Sequence, residues 1–260
     1  MSDAPSLDAE LERARGLSVA ELADAIESIG FECTRCGACC KGYDASGGVD
    51  DAADAEGADG DADADAGTEK EPHTATVFPD EVRRLQAAAS DGSDARYDWR
   101  DVARPMPYGL VEGDGGPRGE TFEWALQTDA CGDCVFYEER AVDDGEGSAE
   151  RGVCRVHEDR PLICRTYPFS VALGGTSQPM GEAVDEAGLV RAHECAGLGR
   201  DISRADAEDL AAALKERAIR ELTEAIGVRD NYEPVETDGV VVYDSEGPKR
   251  SDGAPIDPDG

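Results

Sequence analysis

The pattern of apolar and polar positions predicts two amphipathic helices, one near each end of the chain. The first follows a capping-box pattern at Ser18, carries apolar residues at helical spacing and is expected to end at Gly30. The second is the longest helix. It is expected to begin after Ser203, to bury one apolar face and to stop at Gly227. The first of these helices leads directly into a block of cysteines.

Between the two helices, the stretches with a regular spacing of apolar residues are shorter, and the spacing differs from one stretch to the next. Residues 74–78 and 122–127 favour strands, the second half-buried because apolar and polar side chains alternate along it. Pro79 opens a further helix that is expected to run to about Ala89, with acidic residues in its first turn. Residues 109–119 are rich in glycine and favour a loop. Short strands and several helices together predict an α+β fold.

Acidic stretches interrupt this pattern. Residues 44–71 contain aspartate, alanine and glycine with almost nothing apolar, so we expect a disordered acidic insertion there. The N-terminal helix and the first cysteine block would occupy 1–43. The remainder of a compact cysteine-cluster domain, ending in the long helix, would occupy 72–228. An acidic C-terminal tail would follow over 229–260.

The charge of the chain narrows the classes of protein to which it can belong. The net charge is −34 at pH 7, and only four of the 25 basic residues are lysines. Such a charge repels itself at ordinary ionic strength, where the screening length is about 8 Å, and much less at molar salt, where it is about 3 Å. Because acidic residues are spread over the whole chain, they favour a halophilic, salt-loaded cytoplasm over an acidic interaction protein. No basic patch is available to neutralise phosphates, which argues against direct nucleic-acid binding.

The N-terminus and the hydropathy of the chain bear on its compartment. The N-terminus lacks the charged-then-apolar pattern of a secretory signal, and no run approaches the ~20 apolar residues of a membrane helix. We therefore expect a cytoplasmic protein without a membrane partner. In a reducing cytosol, closely spaced cysteines favour metal binding over disulfides.

Four cysteines lie close together in the sequence C-T-R-C-G-A-C-C over residues 33–40. Cys33, Cys36 and Cys39 have spacings that let a loop wrap around one metal centre, and Gly37 allows the backbone turn that such wrapping requires. Thiolates suit Zn²⁺ or an iron–sulfur cluster because both prefer soft ligands. The adjacent Cys39 and Cys40 are harder to place on one ion, because neighbouring side chains diverge. The pair leaves open two neighbouring sites, a multinuclear cluster, or one ligand beside a redox-active thiol.

The same spacing excludes two common kinds of site. A bacterial ferredoxin run needs three residues and then a cysteine and proline after its third cysteine, whereas here the fourth cysteine follows at once. A zinc finger needs a closely spaced histidine pair, and His73, His157 and His193 are widely scattered. The block is therefore neither of these sites.

A second stretch carries the other five cysteines, which are Cys131, Cys134, Cys154, Cys164 and Cys195. Around one of them the chain reads R-P-L-I-C-R-T-Y-P-F over residues 160–169. Together with the first block, this stretch resembles the YkgJ-type cysteine-cluster proteins, the CxxCxxCC zinc- or iron-chelating family. The resemblance covers residues 31–41 and 73–203. The chain departs from the family pattern at Ala196, where proline is usual, and at His157, where tyrosine is usual.

The resemblance implies a domain that chelates zinc or iron, in some relatives as an iron–sulfur cluster. The ligands expected from the spacing and the resemblance are Cys33, Cys36, Cys39, Cys40, Cys134, Cys154, Cys164 and Cys195. Cys131 is the expected exception, because the family pattern needs only one cysteine before Val135 and Phe136. The departure at His157 makes that residue an additional candidate ligand.

Two arginines flank Cys164, whatever the family. Pro161 fixes the start of the turn that presents this thiol. Arg160 and Arg165 could compensate thiolate charge there and lower the pKa of the thiol. The alternative is that both arginines pair with some of the 59 acidic residues.

Three functions are open on these grounds. The favoured one is a zinc- or iron-binding protein, or an iron–sulfur protein, with a structural, redox or metal-handling role. The second is a cluster-dependent protein-modifying enzyme. It is suggested by similarity of the cysteine region to flagellin lysine N-methylases, although no glycine-rich loop after a strand supports S-adenosylmethionine binding. The third is a thiol oxidoreductase that uses Cys39 with Cys40 or Cys131 with Cys134.

Overall fold

A computed structural model describes the chain over residues 5–44, 70–91, 96–143, 148–176 and 181–257. The helices are α1 (Leu7–Gly16), α2 (Val19–Ile29), α3 (Pro79–Ser90), α4 (Trp99–Val102), α5 (Leu162–Thr166) and α6 (Arg204–Asn231). The predicted acidic insertion lies outside the described residues except at its two ends. No described helix is both long enough and apolar enough to cross a membrane.

The strands are short and form several small sheets. They are β1 (Tyr43–Asp44), β2 (Lys70–Glu71), β3 (Thr76–Val77), β4 (Ala103–Pro105), β5 (Leu110–Gly113), β6 (Gly116–Thr121), β7 (Trp124–Leu126), β8 (Tyr137–Asp143), β9 (Ser148–Cys154), β10 (Phe169–Val171), β11 (Glu182–Ala183), β12 (Val190–Ala192), β13 (Val240–Asp244) and β14 (Gly247–Arg250). The sheet orders are β10-β12-β11, β3-β7-β4 and β14-β13-β6-β5, with β1–β2 and β8–β9 as separate pairs. The predicted α+β class is confirmed.

Helix α2 begins and ends as its sequence predicts. The Ser18 side chain accepts a hydrogen bond from the main-chain N–H of Glu21, and Gly30 follows the last turn with a φ of 73°. A Cβ at Gly30 would overlap the carbonyl oxygen of Arg200. Glycine is therefore required at this position both by the backbone conformation and by the close approach of a second segment.

Helix α6 is longer than predicted. It begins after Ser203, whose side chain accepts from the N–H of Asp206, but it continues through Gly227 and ends at Asn231. The predicted stop at Gly227 is wrong because this glycine serves a different purpose. A Cβ at Gly227 would lie 2.6 Å from the Cβ of Ser245, so the missing side chain lets the turn between β13 and β14 approach the helix.

The first hydrophobic core lies between α1, α2, α6 and the sheet of β10, β11 and β12. Its buried members include Leu22 and Ile26 of α2 and Leu222 of α6, none of them more than 2% exposed. Burial of each such side chain stabilises the fold by about 1.5–3 kcal/mol. Phe31, just beyond α2, packs edge-on against Phe169 with ring centroids 5.7 Å apart. This aromatic contact anchors the start of the cysteine block on the first core.

The second hydrophobic core lies under the sheet β3-β7-β4 and helix α3. Trp124 and Phe136 are each 1% exposed, and Trp124 packs edge-on against Trp99 with centroids 5.0 Å apart. The indole N–H of Trp124 donates to the Asp244 carboxylate over 2.8 Å, so its polar end is satisfied. Four of the nine cysteines belong to this core.

Two predictions on the strands need correction. The strand predicted over 122–127 is shorter and is the central strand of its sheet. All three residues of β7 are buried, and Trp124 and Leu126 pack in the second hydrophobic core. The loop predicted over 109–119 is instead the hairpin β5–β6, closed by the turn Asp114-Gly115. Apolar and polar residues hardly alternate along these two strands, because most of the hairpin faces solvent. Its second strand, β6, is an inner strand of the sheet and pairs in parallel with β13, which lies in the predicted C-terminal tail.

Candidate metal centre

The first cysteine block is a loop that follows α2 and ends in a 3-10 turn over Ala38–Cys40. Gly37 precedes the turn with a φ of 78°, in the left-handed region, and its carbonyl oxygen accepts from the N–H of Cys40 over 2.8 Å. A Cβ on Gly37 would overlap the ring of Tyr137. The glycine thus turns the backbone, as its place in the sequence predicts, and lets the block lie on β8.

The adjacent thiols of Cys39 and Cys40 lie close to each other. Their sulfur atoms are 4.0 Å apart. Two ligands of one tetrahedral zinc ion, each about 2.3 Å from the metal, are separated by roughly 3.8 Å. The expectation that neighbouring side chains diverge is therefore wrong at this pair, because the 3-10 turn brings the two sulfur atoms together.

Four thiols from separate segments of the chain share the second hydrophobic core. Cys134 is only 6% exposed, and three partly buried cysteines pack against the same core: Cys40, Cys154 and Cys164. The main-chain N–H of Cys134 donates to the carbonyl oxygen of Cys40 over 2.8 Å. Cys154 ends β9 opposite Tyr137 of β8. The fold therefore brings together sulfur atoms that are more than 100 residues apart in sequence.

Cys164 is held by helix α5 and by two buried charged side chains. Pro161 precedes the helix and accepts at its carbonyl oxygen from the N–H of Cys164 over 3.0 Å. Glu81 of α3, 1% exposed, accepts from the N–H of Leu162 over 2.9 Å. Arg217 of α6 donates to Thr166 over 3.0 Å. The short helix is therefore fixed from both ends, as the proline-rich sequence suggests.

Cys195 lies in a loop that is joined to the start of the first block. The N–H of Glu32 donates to the carbonyl oxygen of Gly197 over 3.0 Å, and Phe31 forms an antiparallel bridge with Leu198. A Cβ on Gly197 would overlap the carbonyl oxygen of Glu32, so this contact requires glycine. The pairing places the Cys195 loop beside the first block. Burial raises the pKa of Cys195, and the thiols of Cys36, Cys39 and Cys33 add to this rise.

Backbone N–H groups two residues further along the chain act on three of the thiols. The N–H of Gly197 donates to Cys195 over 3.4 Å, and the N–H groups of Phe136 and Val156 oppose the rise that burial causes in the pKa of Cys134 and Cys154. Each of these N–H groups stabilises the thiolate relative to the thiol. Backbone N–H groups that point at sulfur are the kind of outer contact that supports thiolate ligands of a metal.

The thiols influence each other's ionisation. Burial raises the pKa of Cys134 to about 11, against the lowering effect of the Phe136 amide. Burial also raises the pKa of Cys164, and the thiols of Cys134 and Cys39 add to the effect. The contact with Cys40 lowers the pKa of Cys39 to about 7, while burial opposes this shift. So many thiols in one apolar place can ionise together only when a cation compensates their charge.

Arginines lie beside these thiols, though not in the arrangement expected. Burial raises the pKa of Cys154 and Cys164, and the charge of Arg160 opposes this rise. The same charge adds to the lowering of the Cys39 pKa that the Cys40 contact causes, and the Arg160 Nε donates to the carbonyl oxygen of His157 over 2.9 Å. Arg165 is exposed. Arg155, which the sequence gave no reason to select, is the second arginine whose charge acts on the thiols.

Arg155 is held in place by an ion pair with Glu138 over 3.1 Å and by two further hydrogen bonds. It donates to the carbonyl oxygen of Val135 over 2.7 Å and to the Tyr97 hydroxyl over 2.9 Å. Burial raises the pKa of both Cys134 and Cys154, and the charge of Arg155 opposes this rise. No pattern in the sequence links residue 155 to Cys134, because the β8–β9 hairpin alone brings the two together.

Three other residues have surroundings that bear on the site. Cys131 is exposed, and its N–H donates to the Asp129 side chain over 2.8 Å in a surface turn. The ring of His157 contacts the Glu158 carboxylate at 3.1 Å. Tyr167 is partly buried near Cys195; burial and the charge of Cys195 raise its pKa, and its hydroxyl donates to the carbonyl oxygen of Glu194 over 2.8 Å.

The residues fit a soft metal by their chemistry. Thiols cluster, backbone N–H groups point at three of them, and two arginines balance their charge. Among the described residues, no three histidine, cysteine, aspartate or glutamate side chains already stand in position to hold an ion. Loading would therefore involve changes of side-chain rotamer that draw the sulfur atoms inward, as is usual when metal binding and folding are coupled.

Comparison with known proteins gives one match. The family model of CxxCxxCC, described as "Putative zinc- or iron-chelating domain", matches residues 32–196 of the 260-residue chain. A search of the curated proteins and of the solved structures found no match. The matched range begins one residue before the first cysteine and ends one residue after the last.

Proposed function

We propose, because this chain belongs to the CxxCxxCC family, that it is a metal-binding protein that holds zinc or iron on its clustered cysteines. The family description assigns zinc or iron chelation to the domain. The ligands proposed are Cys33, Cys36, Cys39, Cys40, Cys134, Cys154, Cys164 and Cys195. Cys131 is left out because it is exposed in a separate surface turn.

The observation that carries this proposal is the meeting of four thiols in one hydrophobic core. Cys40, Cys134, Cys154 and Cys164 come from four segments and pack in the core that also contains Phe136. A metal would link these segments and contribute its binding free energy to folding. Four thiolates on Zn²⁺ carry a net charge of −2, which Arg155 and Arg160 would partly compensate.

The metal proposed is zinc or iron, the iron either as an ion or in an iron–sulfur cluster. Zinc is supported by the number of thiols in the second hydrophobic core, because a structural zinc ion takes four ligands. An iron–sulfur cluster is supported by the backbone N–H groups on sulfur, because such bonds tune cluster potentials. His157 and Arg165 are proposed to lie around the metal site without binding the metal.

The setting proposed for this protein is a salt-rich cytoplasm, without nucleic-acid or membrane partners. The support is the net charge of −34 and the scarcity of lysine. A high salt concentration screens the repulsion between acidic side chains. The cellular role would be structural, redox or metal-handling.

Anaerobic purification of the full chain in reductant tests the proposal directly. Zinc, iron and acid-labile sulfide are measured per chain, and the visible spectrum is recorded. We expect stoichiometric metal in the wild-type protein and in Cys131→Ser, the matched control, and a lower content in Cys164→Ser. Zinc without sulfide would exclude the iron–sulfur form, and iron with sulfide would exclude the zinc form.

Absence of stoichiometric metal from wild-type protein would overturn the proposal. If Cys164→Ser does not fold, Cys36→Ser provides the second comparison, since Cys36 is exposed and its loss removes no core packing. A metal-free protein that reversibly forms a Cys39–Cys40 disulfide would instead support the thiol oxidoreductase.

A further inference from the structure

A cavity of about 410 Å³ lies between helix α6 and the strands β3 and β7. Cavities that bind small molecules have volumes of about 300–1,000 Å³. None of the described residues that line this cavity is a cysteine, so it takes no part in the proposed metal binding. The cavity is therefore a candidate binding site of its own.

Buried apolar side chains form part of the cavity wall. Val77, Met106 and Trp124 line it, and none of them is more than 4% exposed. Val77 and Trp124 also belong to the second hydrophobic core, which holds this wall in place. The indole N–H of Trp124 already donates to Asp244, so the ring presents only apolar surface to an occupant. Such a wall favours an occupant with an apolar body.

Two exposed aromatic side chains also line the cavity. Tyr108 is 70% exposed and Phe122 is 48% exposed, in a chain with only 5% aromatic residues. Aromatic faces attract cations as well as apolar groups. The ring of Phe78, a third aromatic lining residue, already has the Arg220 guanidinium 4.7 Å from its centroid. The aromatic part of the lining therefore suits an occupant that is both apolar and positively charged.

Carboxylates give the cavity a negative charge. Four of them line it, those of Glu123, Glu221, Glu224 and Asp244. Two are balanced, because Glu221 pairs with Arg217 over 2.8 Å and Asp244 pairs with Lys249 over 2.7 Å. Glu123 and Glu224 form no ion pair with the part of the chain that the structure describes. The cavity therefore has two carboxylates whose charge no basic side chain balances by direct contact.

The surroundings disfavour this unbalanced charge. Partial removal from water raises the pKa of Glu123, and the charges of Glu221 and Glu224 add to the rise. Burial raises the pKa of Glu224 as well, against the lowering effect of the hydrogen bond that it accepts from Ser245. A positive charge near Glu123 and Glu224 would relieve the repulsion between them. A neutral occupant would instead remove them from water without compensation.

We propose that this cavity binds a small organic cation, in which an amine or guanidinium group is carried on an apolar body. The charged group pairs with Glu123 and Glu224, and the apolar body packs against Trp124 and Phe122. A bare metal ion binds its oxygen ligands at about 2.0–2.6 Å and would leave the apolar wall without a partner. The proposal goes beyond metal binding and does not depend on it.

Calorimetric titration of the full chain with three matched probes tests the proposal. 2-Phenylethylamine has the apolar body and the positive charge, 2-phenylethanol has the body alone, and ethylamine has the charge alone. We expect one saturable site for 2-phenylethylamine, with a Kd at least about tenfold lower than that of either other probe. Tryptophan fluorescence should change as this site saturates, because Trp124 lines the cavity.

Single substitutions locate the site. Glu123→Gln and Glu224→Gln keep the size of the side chain but remove its charge. Each should weaken the binding of 2-phenylethylamine by about tenfold and leave that of 2-phenylethanol unchanged. Glu216→Gln is the matched control, because Glu216 is exposed on the same helix as Glu224 and does not line the cavity. If Glu224→Gln does not fold, Glu123→Gln decides the question, because Glu123 is exposed and outside the core.

Three results would overturn the proposal. The first is the absence of a saturable site for 2-phenylethylamine. The second is an equal affinity for 2-phenylethanol, which would show an apolar cavity that does not select for charge. The third is unchanged amine binding in the folded glutamine variants, which would place the amine elsewhere on the acidic surface. Because no probe is a metal, these titrations and the metal analysis test the two proposals separately.

Discussion

The main-chain N–H of Cys134 donates to the carbonyl oxygen of Cys40 over 2.8 Å, so the two cysteine stretches are joined through the backbone. Both residues also belong to the second hydrophobic core. Because this contact needs no ion, the segments that carry Cys40 and Cys134 are already joined before a metal binds. Metal loading then has less conformational entropy to overcome than it would in an unfolded segment.

Glu81 should be essential for the position of α5. Its carboxylate is 1% exposed and accepts from the N–H groups of Leu162, over 2.9 Å, and Phe78, over 3.2 Å. Glu81→Ala leaves both donors unsatisfied in the core and should lower the free energy of unfolding by about 2–5 kcal/mol. Urea denaturation measures this loss. Glu81→Gln keeps an acceptor and should lose less, and equal losses in the two variants would contradict the hydrogen-bonding role.

Gly37→Ala should disrupt the first cysteine block. The residue has a φ of 78°, and an added Cβ would overlap the Tyr137 ring. Placing a residue with a Cβ in this left-handed conformation costs about 1–2 kcal/mol, and the overlap with the ring adds to this cost. Gly115→Ala is the matched control, because a Cβ there meets nothing within 4 Å. Thermal unfolding and metal content should fall in the first variant only; an unchanged Gly37→Ala protein would show that the block is not held as described.

His73 should make stability dependent on pH. Burial, and then the charge of Arg104, lowers its pKa from 6.5 to about 4. The unfolded chain therefore binds a proton between these pH values that the folded chain does not, so stability is full above about 6.5 and falls as the pH is lowered toward 4. An NMR titration of the imidazole checks the pKa itself. His73→Gln should flatten the stability curve between pH 5 and 6.5, and a ring that titrates near 6.5 would exclude this account.

Salt should stabilise the folded chain. The net charge of −34 repels itself over a screening length of about 10 Å at 0.1 M salt and about 3 Å at 1 M. The free energy of unfolding measured in urea should therefore rise with KCl concentration. Sucrose at matched osmolality is the control, because it strengthens burial without screening charge. If KCl raised the free energy of unfolding no more than sucrose does, repulsion between the acidic side chains would not be what limits stability.

Local signals in the sequence predict the helices well. Ser18 and Gly30 delimit α2 because capping and left-handed glycine act within a few residues. Gly227 wrongly suggests the end of α6, because glycine is required there by the close approach of Ser245. Residues near Gly227 in the sequence give no sign of this contact. The hairpin β5–β6 is missed because its solvent-facing strands have no apolar alternation.

The candidate ligands could be selected from the sequence, but their grouping could not. Spacing identifies Cys33, Cys36 and Cys39 as a unit, whereas the fold places Cys40 with Cys134 in a hydrophobic core. Which thiols share a core depends on the β8–β9 hairpin and on α5, both of which bring distant segments together. For the same reason, no pattern in the sequence identifies Arg155 as a neighbour of the thiols.

The pairing of β1 with β2 has a consequence for protein engineering. Tyr43 lies opposite Glu71, so the chain leaves and re-enters the domain at neighbouring points. The spacing between those points is set by this ladder and not by the length of the chain between them, and long insertions at such a place cost little. A fluorescent or affinity module inserted between residues 45 and 69 would therefore report on the domain while leaving both termini free.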